Sequence, residues 1–578
     1  MTRRVDARRS LIWKIGSLIS LFCLLMPGYV AAQPNPPDPR FGAVEAFRDP
    51  KSAAEAGVGW ERILFYWSEL QPQGPDDWNG YHVPEEWLNQ AAAAGREIVV
   101  VLKHTPDWAT DGLPGCGVPR GLDLPVDDPN NLWAAFIRKI VERYRGRIDH
   151  WIIWNEPDIP IGTFGCEWCG TMEEYYRLLK VSYLVAHQVN PNAEIHLAAS
   201  TTWHNPTYLR DFLAMVTQDP EAAEHGYFFD AVSLHIYFRT ETIPEILGAT
   251  RRTLASYNIQ KPIWLNETNA PSNADPPYWE LPEANFDITP EEQASYLLQA
   301  FALALSAGAE RIAVYRWVDN EPQPGVEPFG LIRTDFSRRP AYEAYKLITT
   351  HYAGAFSAQR ERYATYNVVT LKRGALTTRV LWAHTEADAH VTLPALAAQA
   401  RLVEQTGIEH TIVPENGQYT FTLPRARCAD KRGCIIGGPT YLLVENTDDP
   451  PPVETPAVTP TSTEPAPEPT LPPSSSSPTP TITSIPPTPS STPLPTVTPT
   501  PVPTPLPSPT PTPTVVPTLT PLPATVPPTV PPTPLLPTFT PWPIDPDTST
   551  SPSVLLIVGL GLVMLFAAIV GTMFRYRA

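Results

Sequence analysis

"WIIWNEPDI" (151–159) sets a bulky apolar run against an abrupt polar end, Asn155-Glu156-Pro157. A run this short and apolar reads as a buried strand, so a carboxylate at its tip asks for an explanation. Other runs stop in the same way. "EIVVVLKH" (97–104) ends at His104, "AVSLHIY" (231–237) at His235 and Tyr237, and "PIWLNE" (262–267) at Asn266-Glu267. "FGAVEAF" (41–47), "WERILFYW" (60–67), "EIHLAAS" (194–200) and "RIAVYRW" (311–317) bring the strand candidates to eight. Amphipathic stretches such as "LWAAFIRKIVERY" (132–144) and "MEEYYRLLKVSYLVAHQV" (172–189) lie between them. This alternation across 40–350 predicts a (β/α)8 barrel. The competing open, doubly wound sheet usually carries a Gly-rich phosphate loop after its first strand, and none occurs here.

In such a barrel the active site lies at the carboxyl ends of the strands, where polar residues collect as the apolar runs stop. Arg62 on strand two, His104 on three, Asn155 and Glu156 on four, His235 and Tyr237 on six, Glu267 on seven and Trp317 on eight should therefore meet at one mouth. Two carboxyl groups facing each other there suit cleavage of a glycosidic bond. One donates a proton to the leaving oxygen, and the other attacks the anomeric carbon or activates water.

The motifs at these strand ends resemble those of the retaining (β/α)8 glycoside hydrolases of clan A, most nearly families 39 and 5, which include β-xylosidases. "WNEP" (154–157) is similar to the acid/base motif on strand four, "WLNE" (264–267) to the nucleophile motif on strand seven, and "LHIY" (234–237) to the strand-six segment beside it. The resemblance implies an O-glycoside hydrolase that acts with retention and needs no cofactor and no metal. Glu156 would be the general acid/base and Glu267 the nucleophile. A raised pKa would keep Glu156 protonated, helped by apolar neighbours such as Trp154 and Trp317, and Arg62 would hold Glu267 ionised. Asn155 would bond the sugar 2-hydroxyl, Tyr237 would position Glu267, His104 and His235 would bind substrate hydroxyls, and Trp317 would stack under the sugar ring. Trp108 and Trp203 would line outer sugar sites or pack in the core. Two other readings stay open: a glycan-binding or adhesion protein on an inactive barrel, and a transglycosylase.

The chain has 578 residues and a formal net charge of −18. That excess of acid excludes a nucleic-acid partner, whose phosphates need a basic face. Carbohydrate is the expected partner, together with a membrane. Arg3, Arg4, Arg8 and Arg9 precede an apolar run that ends in Val30-Ala31-Ala32, so 1–32 reads as a secretory signal peptide or an uncleaved anchor. Residues 40–353 form the barrel, and 354–447, with alternating runs broken by Gly, Pro and Asp, a small antiparallel β-sandwich. The tract 448–551 is rich in Pro, Thr and Ser, and residues 451–550 hold 36 of the 72 prolines. Such a composition gives an extended spacer rather than a core. Val554–Phe574 is free of charge and long enough to span a bilayer, and Arg575 and Arg577 follow it. The short tail 575–578 is therefore expected in the cytoplasm and the body on the outer face of the membrane.

Outside a cell, disulfides are the default. Cys428 and Cys434 are close enough in sequence to pair. Cys116 could join Cys166 or Cys169, which would tie the loops 104–121 and 158–170 and leave one thiol over. "GCEWCG" (165–170) could also be a redox pair or half of a metal site.

Overall fold

Eight parallel strands hydrogen-bond in sequence order, and the first closes on the eighth, in a computed structural model that describes residues 36–162, 166–276, 286–323, 326–428 and 435–449. They are β1 (Phe41–Val44), β2 (Trp60–Tyr66), β3 (Glu97–Lys103), β4 (His150–Ile153), β5 (Glu194–Ser200), β6 (Ala231–His235), β7 (Ile263–Thr268) and β8 (Arg311–Val314). The helices of the outer ring are α1 (Pro50–Glu55), α2 (Trp67–Leu70), α3 (Glu85–Ala93), α4 (Leu132–Arg143), α5 (Met172–Val189), α6 (Tyr208–Val216), α7 (Thr242–Ser256), α8 (Pro290–Ser306) and α9 (Pro340–His351). The signal-like segment, the Pro-rich tract, the apolar run Val554–Phe574 and Cys434 lie outside the described residues. Among the described residues no helix is long and apolar enough to cross a membrane.

Local sequence explains the helix starts. Thr171 accepts from the Glu174 backbone while the Glu174 side chain accepts from the Thr171 N–H, and Thr289 with Glu292 repeats this reciprocal cap at the start of α8. Each pair satisfies two backbone donors that a helix leaves without an internal partner.

The barrel interior is a packed core. Trp60, Val99, Val101, Ile152, Ala231, Trp264 and Ala313 fill it, with the Trp60 and Trp264 rings 5.4 Å apart. Two indoles fit because β1 carries Gly42, where an added Cβ would overlap the Trp60 ring. Val100, Ile153, Leu265 and Ile312 point the other way, into the layer shared with the helices. Inward and outward positions thus alternate as the pleat requires.

Beyond the barrel, six antiparallel strands form one sheet in the order β14-β13-β16-β11-β10-β9, and β12 pairs with β15. Their ranges are β9 (Ser357–Arg362), β10 (Tyr366–Arg373), β11 (Leu376–Ala383), β12 (Ala389–Pro394), β13 (Ala400–Glu404), β14 (Glu409–Ile412), β15 (Gln418–Leu423) and β16 (Tyr441–Asn446). Val368, Leu381 and Leu443 of the larger sheet share a core with Val391 and Tyr419 of the smaller one. The opposite face covers α8. Gln299 of α8 donates to the Gly438 carbonyl and to Thr440 Oγ1, both at 3.0 Å, and Ser295 donates to Gln405 Oε1 at 2.7 Å. That double coverage explains why α8 is buried around most of its circumference.

Gly42→Ala should destabilise the protein by about 1–3 kcal/mol, because a methyl group there forces the Trp60 ring out of its place in a close-packed core. Urea unfolding checks this, and an unchanged midpoint would show that the ring moves freely.

Candidate active site

The strand ends build the site, and β7 does so by breaking its own alternation. Leu234 pairs with Leu265, but the next residue of β6, His235, pairs with Glu267, so Asn266 is an extra residue on β7. Across the β7–β8 seam the pairing likewise slips between Leu265 and Thr268. Trp264 faces inward and Leu265 outward, and strict alternation would send Glu267 outward with Leu265. The bulge restores it to the interior, a common use of an inserted residue at a barrel rim.

Inside, Glu267 meets three partners. The Arg62 guanidinium donates to Oε1 through Nη1, and the Tyr237 hydroxyl donates to Oε2. His235 Nδ1 lies 3.5 Å from Oε2. Arg62 is 1% exposed, so its charge has few other places to go. Its Nη2 donates to Asn155 Oδ1 at 2.7 Å, which joins β2 to the end of β4. Asn155 keeps its amide nitrogen for the mouth, 3.4 Å from Glu156 Oε2.

Glu156 follows β4 on backbone that has left the strand. Trp154 has φ 75° and Glu156 φ 41°, both left-handed. Its Oε1 lies 2.6 Å from His235 Nδ1. Burial pushes the Glu156 carboxyl up to about 7, and the negative charge of Glu167 raises it further against the opposing charges of Arg62 and Lys103. Burial lowers His235 to about 4 and holds the Tyr237 hydroxyl well above its usual range, with the Glu267 charge adding to the effect. One oxygen of Glu156, one of Glu267 and a ring nitrogen of His235 all lie within 4.8 Å of one another.

The structure thus gathers Arg62, Asn155, Glu156, His235, Tyr237 and Glu267. His104 stands at the rim with its ring stacked on Tyr66 at 4.3 Å, and burial depresses it to about 3. Two expectations need correction. The His235 side chain is fully buried between the two carboxyl groups, so it meets them and not a sugar hydroxyl. Trp317 lies outside the mouth altogether. The β8 ladder ends at Val314, and alternation does not carry on to 317. The Trp317 indole is fully buried, donates to Ser52 Oγ at 2.9 Å and packs on Tyr342 and Tyr345 of α9. It therefore gives Glu156 no apolar cover; that comes from burial at the strand end itself.

Sequence reasoning missed Tyr315, whose ring stands edge-on to Tyr237 at 5.9 Å and to Phe329 at 5.5 Å. It shares the parity of Arg311 and the inward-facing Ala313, so counting by twos along β8 would have found it. Glu167 and Lys103 were missed as well. They pair with each other, and the Glu167 carbonyl accepts from Trp154 Nε1 at 2.6 Å. The loop carrying Glu167 is gathered by cysteine: Cys169 lies beside both Cys116 and Cys166 and can bond one of them, and the Cys116 and Cys169 Cα atoms are 5.2 Å apart. Trp203, on the loop after β5, is 78% exposed. Trp108 donates to the Gln71 carbonyl at 2.6 Å and packs edge-on to Trp67.

Three trios of side chains bring ligand-type atoms together among the described residues: Glu156, His235 and Glu267; Cys116, Cys166 and Cys169; and His150, Glu194 and His196.

The architecture is a parallel (β/α)8 barrel with appended antiparallel sheets. A family 39 glycoside hydrolase from the gut symbiont Bacteroides cellulosilyticus shares this fold, with a TM-score of 0.54 and 18% identity over 71% of this chain and 81% of that one. A family 30 endoxylanase from Clostridium papyrosolvens aligns with a TM-score of 0.47 and 12% identity over 71% of this chain and 97% of its own. No family model matches the sequence, and no curated protein matches it.

Glu167→Gln should lower the Glu156 pKa from about 7. Removing a nearby negative charge stabilises the carboxylate form, and Lys103 is then left uncompensated. A carbon-13 carboxyl titration reads this directly. An unmoved midpoint would mean that Glu156 does not feel the Glu167 charge.

Proposed function

We propose that this protein is a retaining O-glycoside hydrolase in which Glu156 is the acid/base and Glu267 the nucleophile. One observation carries the reading: oxygens of the two carboxyl groups lie within 4.8 Å of each other across the barrel mouth. Retention uses carboxyl groups about 5–5.5 Å apart, whereas inversion needs about 6.5–9.5 Å to admit a water between carboxylate and sugar.

The surroundings give the two carboxyl groups different tasks. A pKa of about 7 leaves Glu156 protonated in mildly acidic solution and about half protonated at neutral pH, ready to give its proton to the leaving oxygen. Glu267 has the Arg62 guanidinium on one oxygen and the Tyr237 hydroxyl on the other. These contacts hold the carboxyl group in place and fix its aim at the anomeric carbon. Attack gives a covalent glycosyl-enzyme. Glu156, now ionised, then takes a proton from water, which hydrolyses the ester and returns both groups to their starting states. His235 spans both carboxyl groups and keeps their spacing. Asn155 offers its amide nitrogen to the sugar 2-hydroxyl, His104 a ring nitrogen to another hydroxyl, and Tyr315 an aromatic wall.

Arg62 and Tyr237 are positioning residues in this scheme, because both act through Glu267. We further infer that the catalytic body works outside the cell, released by its signal segment and held near the membrane by the apolar run Val554–Phe574. The 36 prolines of 451–550 favour a long spacer over a folded link.

Hydrolysis of a panel of aryl β-glycosides by the intact chain tests the assignment. Glu267→Gln should abolish turnover on every substrate that the parent protein cleaves. Glu156→Gln should slow poorly departing alcohols by about 10²–10⁴-fold and activated phenols far less. Proton NMR of the first product should show the anomeric configuration retained. Inversion would overturn the mechanism, and glycan binding without turnover would point to a binding protein instead. Tyr237→Phe removes one hydrogen bond from Glu267 and should reduce kcat by about ten-fold or more with little change in KM, the sign of a contact that matters in the transition state.

A further inference from the structure

The amino-terminal end of the barrel holds a second polar cluster, which the proposed hydrolysis does not use. His150 and Glu194 are register partners at the first residues of β4 and β5, and His196 lies two residues along β5. Residues two apart on a strand share a face. Ile152, which shares a face with His150 and pairs with His196, belongs to the barrel interior, so all three side chains turn toward the barrel floor. The Trp264 ring stands 4.5 Å from His196 and 5.1 Å from His150.

The distances are long for hydrogen bonds. His150 Nδ1 lies 3.3 Å from His196 Nε2 and 3.4 Å from Glu194 Oε2. The contact to Glu194 exceeds the usual range of about 2.7–3.2 Å for N–H···O bonds, and the contact between the two imidazoles is a long N···N hydrogen bond. Both distances match the edge of a tetrahedron whose centre is about 2.0–2.1 Å from each corner, which is about 3.3–3.4 Å and is the geometry of zinc on imidazole and carboxylate. The three ligand atoms also lie within 4.8 Å of one another.

Proton counting favours the same conclusion. If His150 Nδ1 carries a proton, one N–H faces two acceptors. If His196 Nε2 carries it instead, a bare His150 lone pair faces the Glu194 carboxylate. His196 is fully buried. A cation at the centre accepts all three lone pairs at once.

The outer shell agrees. His150 Nε2 faces Glu97 Oε2 at 3.8 Å, an electrostatic neighbour beyond hydrogen-bond reach. Arg311 donates to that same carboxylate at 2.5 Å, so the one nearby guanidinium is already neutralised. A cavity of about 630 Å³, lined by Asp149, His150, Glu194 and Asp230, opens beside the trio and supplies an acidic entry path with room for water as fourth ligand. We propose that the floor of the barrel is a divalent transition-metal site, best suited to Zn²⁺, with His150 Nδ1, His196 Nε2 and Glu194 Oε2 as its ligands. It joins β4 to β5 at the end of the barrel opposite the carboxyl pair, and it stands whether or not the protein is a hydrolase.

The test uses the intact chain, stripped with EDTA and titrated with Zn²⁺ by calorimetry, with Co²⁺ as a spectroscopic substitute. One equivalent should bind, and Co²⁺ should give the visible bands of a tetrahedral ion without the thiolate absorption that the Cys116, Cys166 and Cys169 trio would add. His150→Gln and Glu194→Gln, whose parent side chains are 13% and 49% exposed, should each weaken binding beyond the about 10–100-fold typical of an outer-shell change. The double variant Glu156→Gln, Glu267→Gln should bind as the parent does. No Zn²⁺ binding, binding unchanged in both floor variants, a thiolate band, or loss of binding in the double carboxyl variant would each overturn the proposal. The Co²⁺ spectrum of the parent protein stands even if a floor variant misfolds.

Discussion

A guanidinium buried in the middle of a barrel is a demanding object, and the upper half of this structure is arranged around one. Arg62 is almost wholly removed from water. A buried cation without a counter-charge costs several kcal/mol, and good hydrogen bonds must fill its donor fork. Glu267 supplies the charge and Asn155 a further acceptor. These come from β7 and from the end of β4, so one side chain on β2 fixes three strands relative to one another. The inserted Asn266 follows from the same demand, since without it the carboxyl group would face the helices. Tyr237 and His235 then fill what remains of Glu267, and His235 reaches across to Glu156. The spacing of the two carboxyl groups is therefore an outcome of how a buried charge is neutralised.

The barrel interior is layered by polarity. A carboxyl and guanidinium layer lies at the carboxyl ends of the strands, an apolar layer of Trp60, Trp264, Val99, Val101 and Ile152 lies in the middle, and a histidine and carboxyl layer lies at the floor. The middle layer insulates the two polar ones. In a low-dielectric interior, charges interact strongly over short distances, and a layer of indole and branched aliphatic groups lets each end satisfy its own electrostatics.

Much of this was legible in the sequence. The eight strand candidates begin within a residue of the observed strands, because a buried parallel strand is an apolar run with sharp edges. The ends were less legible. At β4, β6 and β8 the ladder stops before the last residues of each run, and after β4 and β6 the chain turns into left-handed backbone that no hydrophobic pattern announces. Glu156 and Glu267 could be read because motif and strand end coincide. His235 could be placed but not given its contacts, and Trp317 failed because the strand was read as running on to 317, past its last paired residue, Val314. Glu167 had no signal, since its position depends on a loop gathered by three cysteines. In the second domain, β9 and β14 are the least legible strands, because they are the two edges of the six-stranded sheet and largely polar. An edge strand has one solvated side and can dispense with the apolar face that makes a strand readable.

The left-handed backbone at the rim has a consequence for how this protein can change. Glu45, His104, Trp154, Glu156, Thr202 and Phe238 all follow barrel strands with φ between 41° and 75°. None is glycine, and each such residue costs about 1–2 kcal/mol relative to relaxed backbone. The rim is thus a reservoir of removable strain, except at Trp154, whose indole is fully buried against Trp133 and Trp168 and would leave a cavity. Selection for heat resistance alone would be drawn to these positions, because glycine there relieves the backbone while erasing the side chain. A lineage that gained melting temperature by that route would keep its barrel and lose rim side chains such as His104 and Glu156, and durability and chemistry would compete for the same places.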